Sequence, residues 1–239
     1  MSGSATVDRG FSGTRWSAVS LASVTGAFTP AQALAALCAR HRYPVYALLR
    51  HLGHAPARAF GIASAFLEGT QRSAAAEVPP AVPRFRQFLL ARLEEYLARE
   101  PASTTERIVD DADALVALEA RYAQDAGRHD VPTQAFKRAF AVDVLLHALA
   151  RLREEAQAAG HDAMYAALVP FLAREPEPHE REALARALGA KPSIIATALD
   201  RLRRRLHELA SEYLADTVSS SDELAGEQAE MFAALGGSG

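Results

Sequence analysis

The stretch EREALARALGAKPSIIATALDRLRRRLHEL, residues 180–209, decides the predicted fold of the C-terminal half. Apolar residues recur every three or four positions at its start, which predicts a short amphipathic helix over about 180–188. Gly189 follows where a helix C-cap favours a positive backbone angle, and Pro192 suits the first turn of a new helix. The stretch therefore predicts two helices joined by a tight turn, which is the helix-turn-helix pattern.

The second helix of this pattern separates an apolar face from a basic one. Its apolar residues are Ile194, Ile195, Ala198, Leu199, Leu202, Leu206 and Leu209. In DNA-binding examples such a helix enters the major groove with its N-terminal part leading. The residues predicted to contact DNA are Lys191, Ser193, Thr197, Arg201, Arg204 and Arg205. An alternative stays open at this point, since a solvated amphipathic hairpin with an arginine face has the same pattern.

The predicted DNA-contacting residues have the chemistry that nucleic acid requires. Lys191 and Ser193 lie near the N–H groups of a helix N-terminus, which can hold a phosphate. Thr197 and Arg201 are placed to reach base edges, and arginine to guanine is the commonest bidentate base contact. The arginines that follow in the chain are candidates for phosphate anchors, which position a protein without reading sequence.

Composition and charge favour a helical protein that contacts DNA only locally. The 239 residues are 49% hydrophobic and 23% charged, and alanine and leucine outnumber valine and isoleucine. The net charge of −3 does not indicate a general nucleic-acid binder, so any contact is expected around residues 201–205. No apolar run approaches the roughly 20 residues that span a bilayer, and the first residues lack a signal-peptide core. We therefore expect a cytoplasmic protein with no membrane partner.

The periodicity predicts an all-α fold of two small helical bundles joined by an acidic linker. The predicted boundaries are 1–29 for an N-terminal extension, 30–100 for the first bundle, 101–131 for the linker, 132–215 for the second bundle and 216–239 for an acidic tail. Thr29 and Pro30 predict the start of the first bundle, as N-cap and first helical residue. Within the linker we expect one helix, over about 112–123.

Nothing in the pattern indicates an enzyme. His41, His51 and His54 are close in sequence, but no carboxylate pair or cysteine accompanies them at the spacing of metal ligands or a catalytic group. The one cysteine, Cys38, lies in an apolar helical run and is expected to be buried. We assign no catalytic residue, no metal site and no cofactor.

Several short motifs in order along the chain resemble one family. They are Gly13-Thr14-Arg15-Trp16-Ser17, the run from Tyr43 to Arg50, Arg84-Phe85-Arg86-Gln87-Phe88-Leu89-Leu90, Leu202-Arg203-Arg204-Arg205 and the tail motif from Met231 to Gly236. Together they resemble the bacterial RNA polymerase sigma factors of the sigma-70 family, extracytoplasmic-function type, of which this chain would be a divergent member. The two bundles are then similar to sigma region 2 and to sigma region 4 with its helix-turn-helix.

The resemblance implies a role in transcription initiation. The first domain of such a protein binds core RNA polymerase and opens the promoter −10 element, and the second reads the −35 element. By this resemblance the partner-binding residues are Tyr46, Arg50, Ile62, Phe66 and Leu67. The implied partners are core RNA polymerase, promoter DNA and an anti-sigma or other regulatory protein.

The chain departs from the family at two places, which raises an alternative function. Residues 57–64 lack the acidic run of the family, and Glu94 and Glu95 stand where the family has a basic segment. Acids beside phosphates repel and remove the counterion-release contribution to binding. The alternative is a sigma-like regulator that has lost promoter melting and binds a partner protein or DNA through its second domain.

The ends of the chain carry further predictions. Trp16 is expected to pack on the first bundle. Arg84 and Arg86 are open to two interpretations, as contacts to DNA or as surface residues at the start of a helix. The acids of the tail are expected to neutralise the arginines at 201–205 when no DNA is bound. The apolar stripe of the tail, at Met231, Phe232 and Leu235, is open to two interpretations, as a contact to one of the two domains or as a partner-binding helix.

Overall fold

Helices make up the architecture. The computed structural model describes residues 14–20, 29–73, 82–99, 111–125 and 131–236. In these ranges the chain forms eleven α-helices and one 3-10 turn, and the only β contact is an isolated bridge between Arg84 and Val218. The predicted all-α class is confirmed. None of the helices within these ranges combines the length and the apolar character needed to cross a bilayer.

The helices follow one another with few long breaks in the described ranges. Their bounds are α1 Arg15–Ser20, α2 Pro30–Arg40, α3 Arg42–His51, α4 Pro56–Ser73, α5 Phe85–Arg99, α6 Ala112–Asp125, α7 Pro132–Ala158, α8 Asp162–Leu168, α9 Pro178–Ala187, α10 Pro192–Ala215 and α11 Ser221–Ala234, with a 3-10 turn at Val169–Phe171 between α8 and α9.

Local sequence signals explain where several helices begin. The side chain of Thr29 accepts a hydrogen bond from the backbone N–H of Gln32, and the Gln32 side chain returns to the backbone of Thr29. This reciprocal pair is a capping box, and Pro30 occupies the first turn behind it. The predicted start of this helix, with Thr29 as N-cap and Pro30 as first residue, is confirmed. Proline also opens α4, α7, α9 and α10, where a missing N–H costs no helical hydrogen bond.

Two compact units make up the chain, and their boundaries differ from the predicted domains. Met1–Asp143 and Leu214–Gly239 belong to the first unit, and Val144–Tyr213 forms the second. Both boundaries fall inside the two longest helices, α7 and α10. Helical periodicity continues unbroken across these positions, so the sequence pattern contains no signal for them.

The predicted linker is corrected by the position of α6. Leu118 and Tyr122 of this helix pack against a cluster formed by Tyr43, Ala47 and Ala139 in the first unit. The helix expected within the linker is present, but it is a packed element of the first unit. Residues 101–110 and 126–130, the rest of the predicted linker, lie outside the described residues.

The predicted tail also belongs to the first unit. The backbone N–H of Trp16 donates to the carbonyl of Asp216 at 2.9 Å, and that of Phe85 donates to Thr217 at 2.8 Å. The N–H of Ser219 donates to the carbonyl of Pro83 at 3.0 Å. These backbone hydrogen bonds hold 216–219 between α1 and the start of α5. We call residues 216–219 the strap.

Each unit has its own apolar core. In the first unit Trp16 is fully buried and lies 5.4 and 5.2 Å from the ring centres of Phe85 and Phe88, as predicted for packing on the first bundle. Cys38 is also fully buried, and burial raises the pKa of its thiol to about 12. The core of the second unit is formed by Leu168, Phe171, Ala185, Ile195 and Leu199.

A buried polar group lies within the first unit. His41 is fully buried, and its Nδ1 is 3.1 Å from an oxygen of Asp143, which is 2% exposed. The second oxygen of Asp143 accepts from Arg121 at 2.9 Å. The His41 ring stacks on Phe140 with ring centres 4.3 Å apart. The carboxylate beside His41 comes from 102 residues away, so no local spacing could have predicted it.

Candidate nucleic-acid interface

The predicted pair of helices with a tight turn is confirmed in the second unit. After α9, Gly189 adopts a φ of +60°, a backbone angle that costs glycine little and other residues more. The N–H of Ala190 donates to the carbonyl of Ala185 at 2.9 Å and closes the end of α9. Pro192 then begins α10. A C-cap glycine and a first-turn proline thus set the turn between α9 and α10, as their positions in the sequence predicted.

A charged cap fixes the start of α9. Glu180 accepts from both terminal nitrogens of Arg174 at 2.7 Å and from the backbone N–H of Glu177 at 2.8 Å. The hydrogen bonds from Arg174, followed by that from the Glu177 backbone, lower the pKa of Glu180 from its ordinary value of 4.5 to about 2. The cap therefore favours the ionised carboxylate.

We expect acid to loosen the start of α9 through Glu180. Because its pKa is lower in the folded chain than in the unfolded chain, its stabilising contribution is present above about pH 4.5 and is lost as the pH falls toward about 2. Protection factors for amide hydrogen exchange in α9, measured by NMR from pH 6 to pH 2, should fall over this interval. E180Q should have low protection throughout, whereas E182Q, at an exposed position of the same helix, should follow the wild type. Identical profiles for E180Q and the wild type would contradict this role.

Five of the six predicted DNA-contacting residues are exposed on α10 or just before it. These are Lys191, Ser193, Thr197, Arg201 and Arg204. The opposite side of the helix is buried in the core of the second unit through Ile195 and Leu199. The Thr197 hydroxyl donates to the carbonyl of Ser193 at 3.0 Å. Among the described residues, the guanidinium groups of Arg201 and Arg204 have no carboxylate partner.

Arg205 corrects the prediction for the sixth residue. It donates to Glu155 of α7 at 2.8 and 2.9 Å, and to Glu208 and Glu212 of its own helix at 3.0 and 3.1 Å. These hydrogen bonds, led by those to Glu155, raise the pKa of the Arg205 guanidinium. A phosphate would have to displace three carboxylates, so Arg205 serves to join α10 to α7.

Arg203 is engaged within the second unit as well. Its guanidinium donates to the carbonyls of Phe171 at 2.8 Å and Arg174 at 2.6 Å, and it forms an ion pair with Glu175. The arginine run therefore divides. Arg201 and Arg204 remain available to a ligand, while Arg203 and Arg205 hold the unit together.

A groove of about 650 Å³ lies beside the exposed residues of α10, between that helix, the end of α7 and α8. Leu152, Met164 and Leu202 are apolar residues in its wall. Ser193, Thr197 and Arg201 also line it. Nothing in the sequence indicated this groove, because its walls come from three helices that only tertiary packing brings together.

The predicted partner-binding residues are mostly interior. Tyr46, Ile62, Phe66 and Leu67 are each at most 4% exposed, so as they are placed they cannot contact a partner. The fifth of these residues, Arg50, is the only one with an accessible side chain, and it is paired with Glu119 of α6 at 2.8 and 2.9 Å. The apolar matches on which the assignment rested reflect the core of the first unit.

Four of the five acids of the tail pair with basic residues of the first unit. Asp216 accepts from Arg40 at 3.2 Å and also pairs with Arg15. Three glutamates of α11 pair with Arg84, which directly precedes α5, and with basic residues of α5 and α7; they are Glu223, Glu227 and Glu230. The predicted neutralisation of the arginines at 201–205 by these acids is therefore corrected. Burial raises the pKa of Glu230, but Arg86 and Arg84 outweigh it and leave that pKa lowered.

Sequence reasoning left Arg84 and Arg86 as either DNA contacts or surface residues and did not find their acidic partners. The partners lie 139 to 146 residues further along the chain. The only local signal was the spacing of the glutamates in the tail, which puts all three on one face of a helix.

Comparison of the chain with protein-family models, with curated proteins and with solved structures gives no match in any of the three. Function is therefore inferred from the residues of the two units and from the resemblance of the sequence motifs.

Proposed function

We propose that this chain is a divergent sigma factor of the extracytoplasmic-function type, which acts in the cytoplasm and binds core RNA polymerase and promoter DNA. The observation that carries the proposal is the exposed row Ser193, Thr197 and Arg201 on α10, opposite the buried Ile195 and Leu199. A helix anchored along one side and polar along the other is what insertion into a major groove requires. The motifs that resemble sigma factors support the assignment to transcription initiation.

The spacing of the row suits successive contacts to a duplex. Residues four apart on a helix lie about 6 Å apart along its axis, so Ser193, Thr197 and Arg201 extend over about 12 Å. In the proposed complex Lys191 and Ser193 meet a phosphate at the N-terminus of α10, where the helix dipole favours negative charge. Arg201 reads a guanine edge and Thr197 contacts a neighbouring base. Arg204, further along the helix, adds a phosphate contact.

A second candidate function is favoured by the first unit. Tyr46, Ile62, Phe66 and Leu67 are interior, and Arg84 and Arg86 are paired with α11. Both observations favour a sigma-like regulator that binds DNA or a partner protein through its second unit without opening a promoter. Where the regulator binds DNA, the two candidates share the α10 contact and differ in whether core polymerase is recruited.

Loss of the two available arginines tests the DNA contact. The probe is a 30-base-pair duplex selected from a random pool by the wild-type chain. We expect R201Q/R204Q to bind it at least about tenfold more weakly, since one good bidentate base contact contributes about 1–3 kcal/mol. R99Q/R153Q removes the same charge from exposed positions outside the row and should bind like the wild type. Equal weakening by both variants, or failure of the wild type to select any duplex, would contradict the proposal.

A run-off transcription assay separates the two candidates. The wild-type chain is added to purified bacterial core RNA polymerase and a template that carries the selected duplex. Association with the core enzyme and new initiation would support the sigma factor. Duplex binding without association or initiation would support the regulator.

A further inference from the structure

Three basic side chains of the first unit form a cluster that α11 covers. Arg84 directly precedes α5, Arg86 is the second residue of α5, and Lys137 stands on α7. We call these three residues the basic cluster. The glutamates that face it are Glu223, Glu227 and Glu230 of α11. Three positive charges meet three negative charges, so the two sides balance.

The contacts between the two sides are short and numerous. Arg84 donates to Glu223 at 2.6 Å and to Glu230 at 2.5 Å. Arg86 donates to both oxygens of Glu227, at 2.8 and 2.9 Å, and to Glu230 at 2.7 Å. The Nζ of Lys137 lies 3.6 Å from Glu230. Hydrogen bonds between charged groups are about twice as strong as those between neutral groups.

Charge holds α11 in place more than apolar burial does. Of the residues of this helix, only Glu227 and Met231 are buried, and Phe232 is 64% exposed. Gly226 allows the close approach, because a Cβ there would lie 2.5 Å from Nη2 of Arg84. The partly exposed pairs of Arg84 and Lys137 weaken with salt, whereas the buried pair of Arg86 with Glu227 is screened much less.

The glutamate row has the dimensions of a phosphate backbone. Glu223 and Glu230 are seven residues apart, which is about 10 Å along the helix. One strand of a duplex presents a phosphate about every 3.4 Å of its axis, so a similar length carries about three phosphates. Arginine is also the side chain best suited to paired hydrogen bonds with either carboxylate or phosphate oxygens.

We propose that the basic cluster is a binding surface for the phosphodiester backbone of nucleic acid and that α11 covers it as an internal competitor. Nucleic acid reaches Arg84, Arg86 and Lys137 when α11 moves away. The strap remains held by its backbone hydrogen bonds to Phe85 and Pro83, so α11 stays tethered next to the cluster. Nucleic-acid binding by the first unit is part of the proposed sigma-factor function, so this inference rests on that function and adds its regulation by α11. The surface belongs to the first unit and is separate from the contact made by α10.

The test measures binding of a fluorescein-labelled 12-nucleotide single strand by anisotropy, with full-length variants. E223Q/E230Q removes two competing charges at half-buried positions and should bind about tenfold more tightly than the wild type at low salt. Its dependence of log affinity on log salt should be steeper by about 2, the value for three phosphates of a single strand. D113N/D222N removes two acids at exposed positions and should bind like the wild type.

Further variants locate the binding. R84Q added to E223Q/E230Q should remove the gain in affinity. The same gain should appear on an R201Q/R204Q background, which keeps this surface separate from α10. G226A leaves every charge in place but pushes Arg84 away from the helix, so it should also increase binding, by a smaller factor. Far-UV circular dichroism checks that each variant is folded.

Three outcomes would overturn the proposal. One is the absence of any gain in both E223Q/E230Q and G226A. Another is an equal gain in D113N/D222N, which would mean that net charge alone is responsible. The third is binding of poly-glutamate of the same charge as tightly as the oligonucleotide, which would assign the cluster to acidic peptides in place of nucleic acid.

Discussion

Replacing Arg86 by alanine is expected to lower the free energy of unfolding of the first unit by about 3–5 kcal/mol, because the buried carboxylate of Glu227 then keeps only a 3.3 Å contact with Arg84. Arg86 is 2% exposed and Glu227 is fully buried. Their two hydrogen bonds satisfy both oxygens of the glutamate. Urea unfolding followed by circular dichroism measures the change.

Two further variants separate this mechanism from a general loss of charge or packing. R86M/E227M removes both members of the pair and should recover most of the lost stability, since an apolar pair of similar volume avoids the unpaired buried charge. R92A removes an arginine from the same helix whose pair with Glu95 is exposed, and it should change the free energy by at most about 1 kcal/mol. If R86A and R92A are equally stable, Glu227 does not depend on Arg86 in the way proposed.

Replacing Trp16 by alanine is the second substitution with a large expected effect, again about 3–5 kcal/mol in the free energy of unfolding. Its ring is fully buried against Phe85 and Phe88, and its Nε1 donates to the carbonyl of Val82 at 2.9 Å. Without the indole ring, α1 would no longer be anchored to the first unit. The strap would then be released as well, because the backbone N–H of residue 16 is bonded to the carbonyl of Asp216.

The control for this substitution keeps an aromatic ring. W16F retains most of the apolar contact and loses the indole hydrogen bond, so it should cost clearly less than W16A. Trp16 is the only tryptophan, so far-UV circular dichroism is the suitable signal for unfolding. A W16A variant as stable as the wild type would mean that α1 does not anchor the strap.

The distribution of arginine partners links the two proposals. On α10, Arg205 is held by three carboxylates, whereas Arg201 has none among the described residues. In the first unit, the arginines at the start of α5 are held by α11. Each unit thus has basic residues that stabilise the fold. The two proposed nucleic-acid contacts differ in their accessibility. The α10 row is open, and the basic cluster is covered.

Local chemistry was sufficient to predict most helices. Periodic leucine and alanine, the capping box at Thr29 and the positive angle at Gly189 depend on residues within a few positions of one another, so their effect is readable in the sequence. The short helix α1 was not predicted. Its six residues carry little periodic signal, and contacts of Trp16 with distant residues hold it in place.

Local spacing also predicted part of the candidate site. Helical spacing alone predicts the exposed row on α10, because the apolar residues between its members define the buried side of the helix. Whether an arginine in that row is available depends on what lies opposite it. Glu155 lies 50 residues before Arg205, and no pattern in the sequence relates the two positions.

The sequence by itself determined the helical class, most of the helices, and the turn that joins α9 to α10, because these depend on neighbours within one or two helical turns. Only the tertiary structure decided which charges are free and which are paired. Arg86 and Glu227 lie 141 residues apart, and an ion pair depends on distance in space and on the exclusion of water, neither of which the order of residues encodes locally.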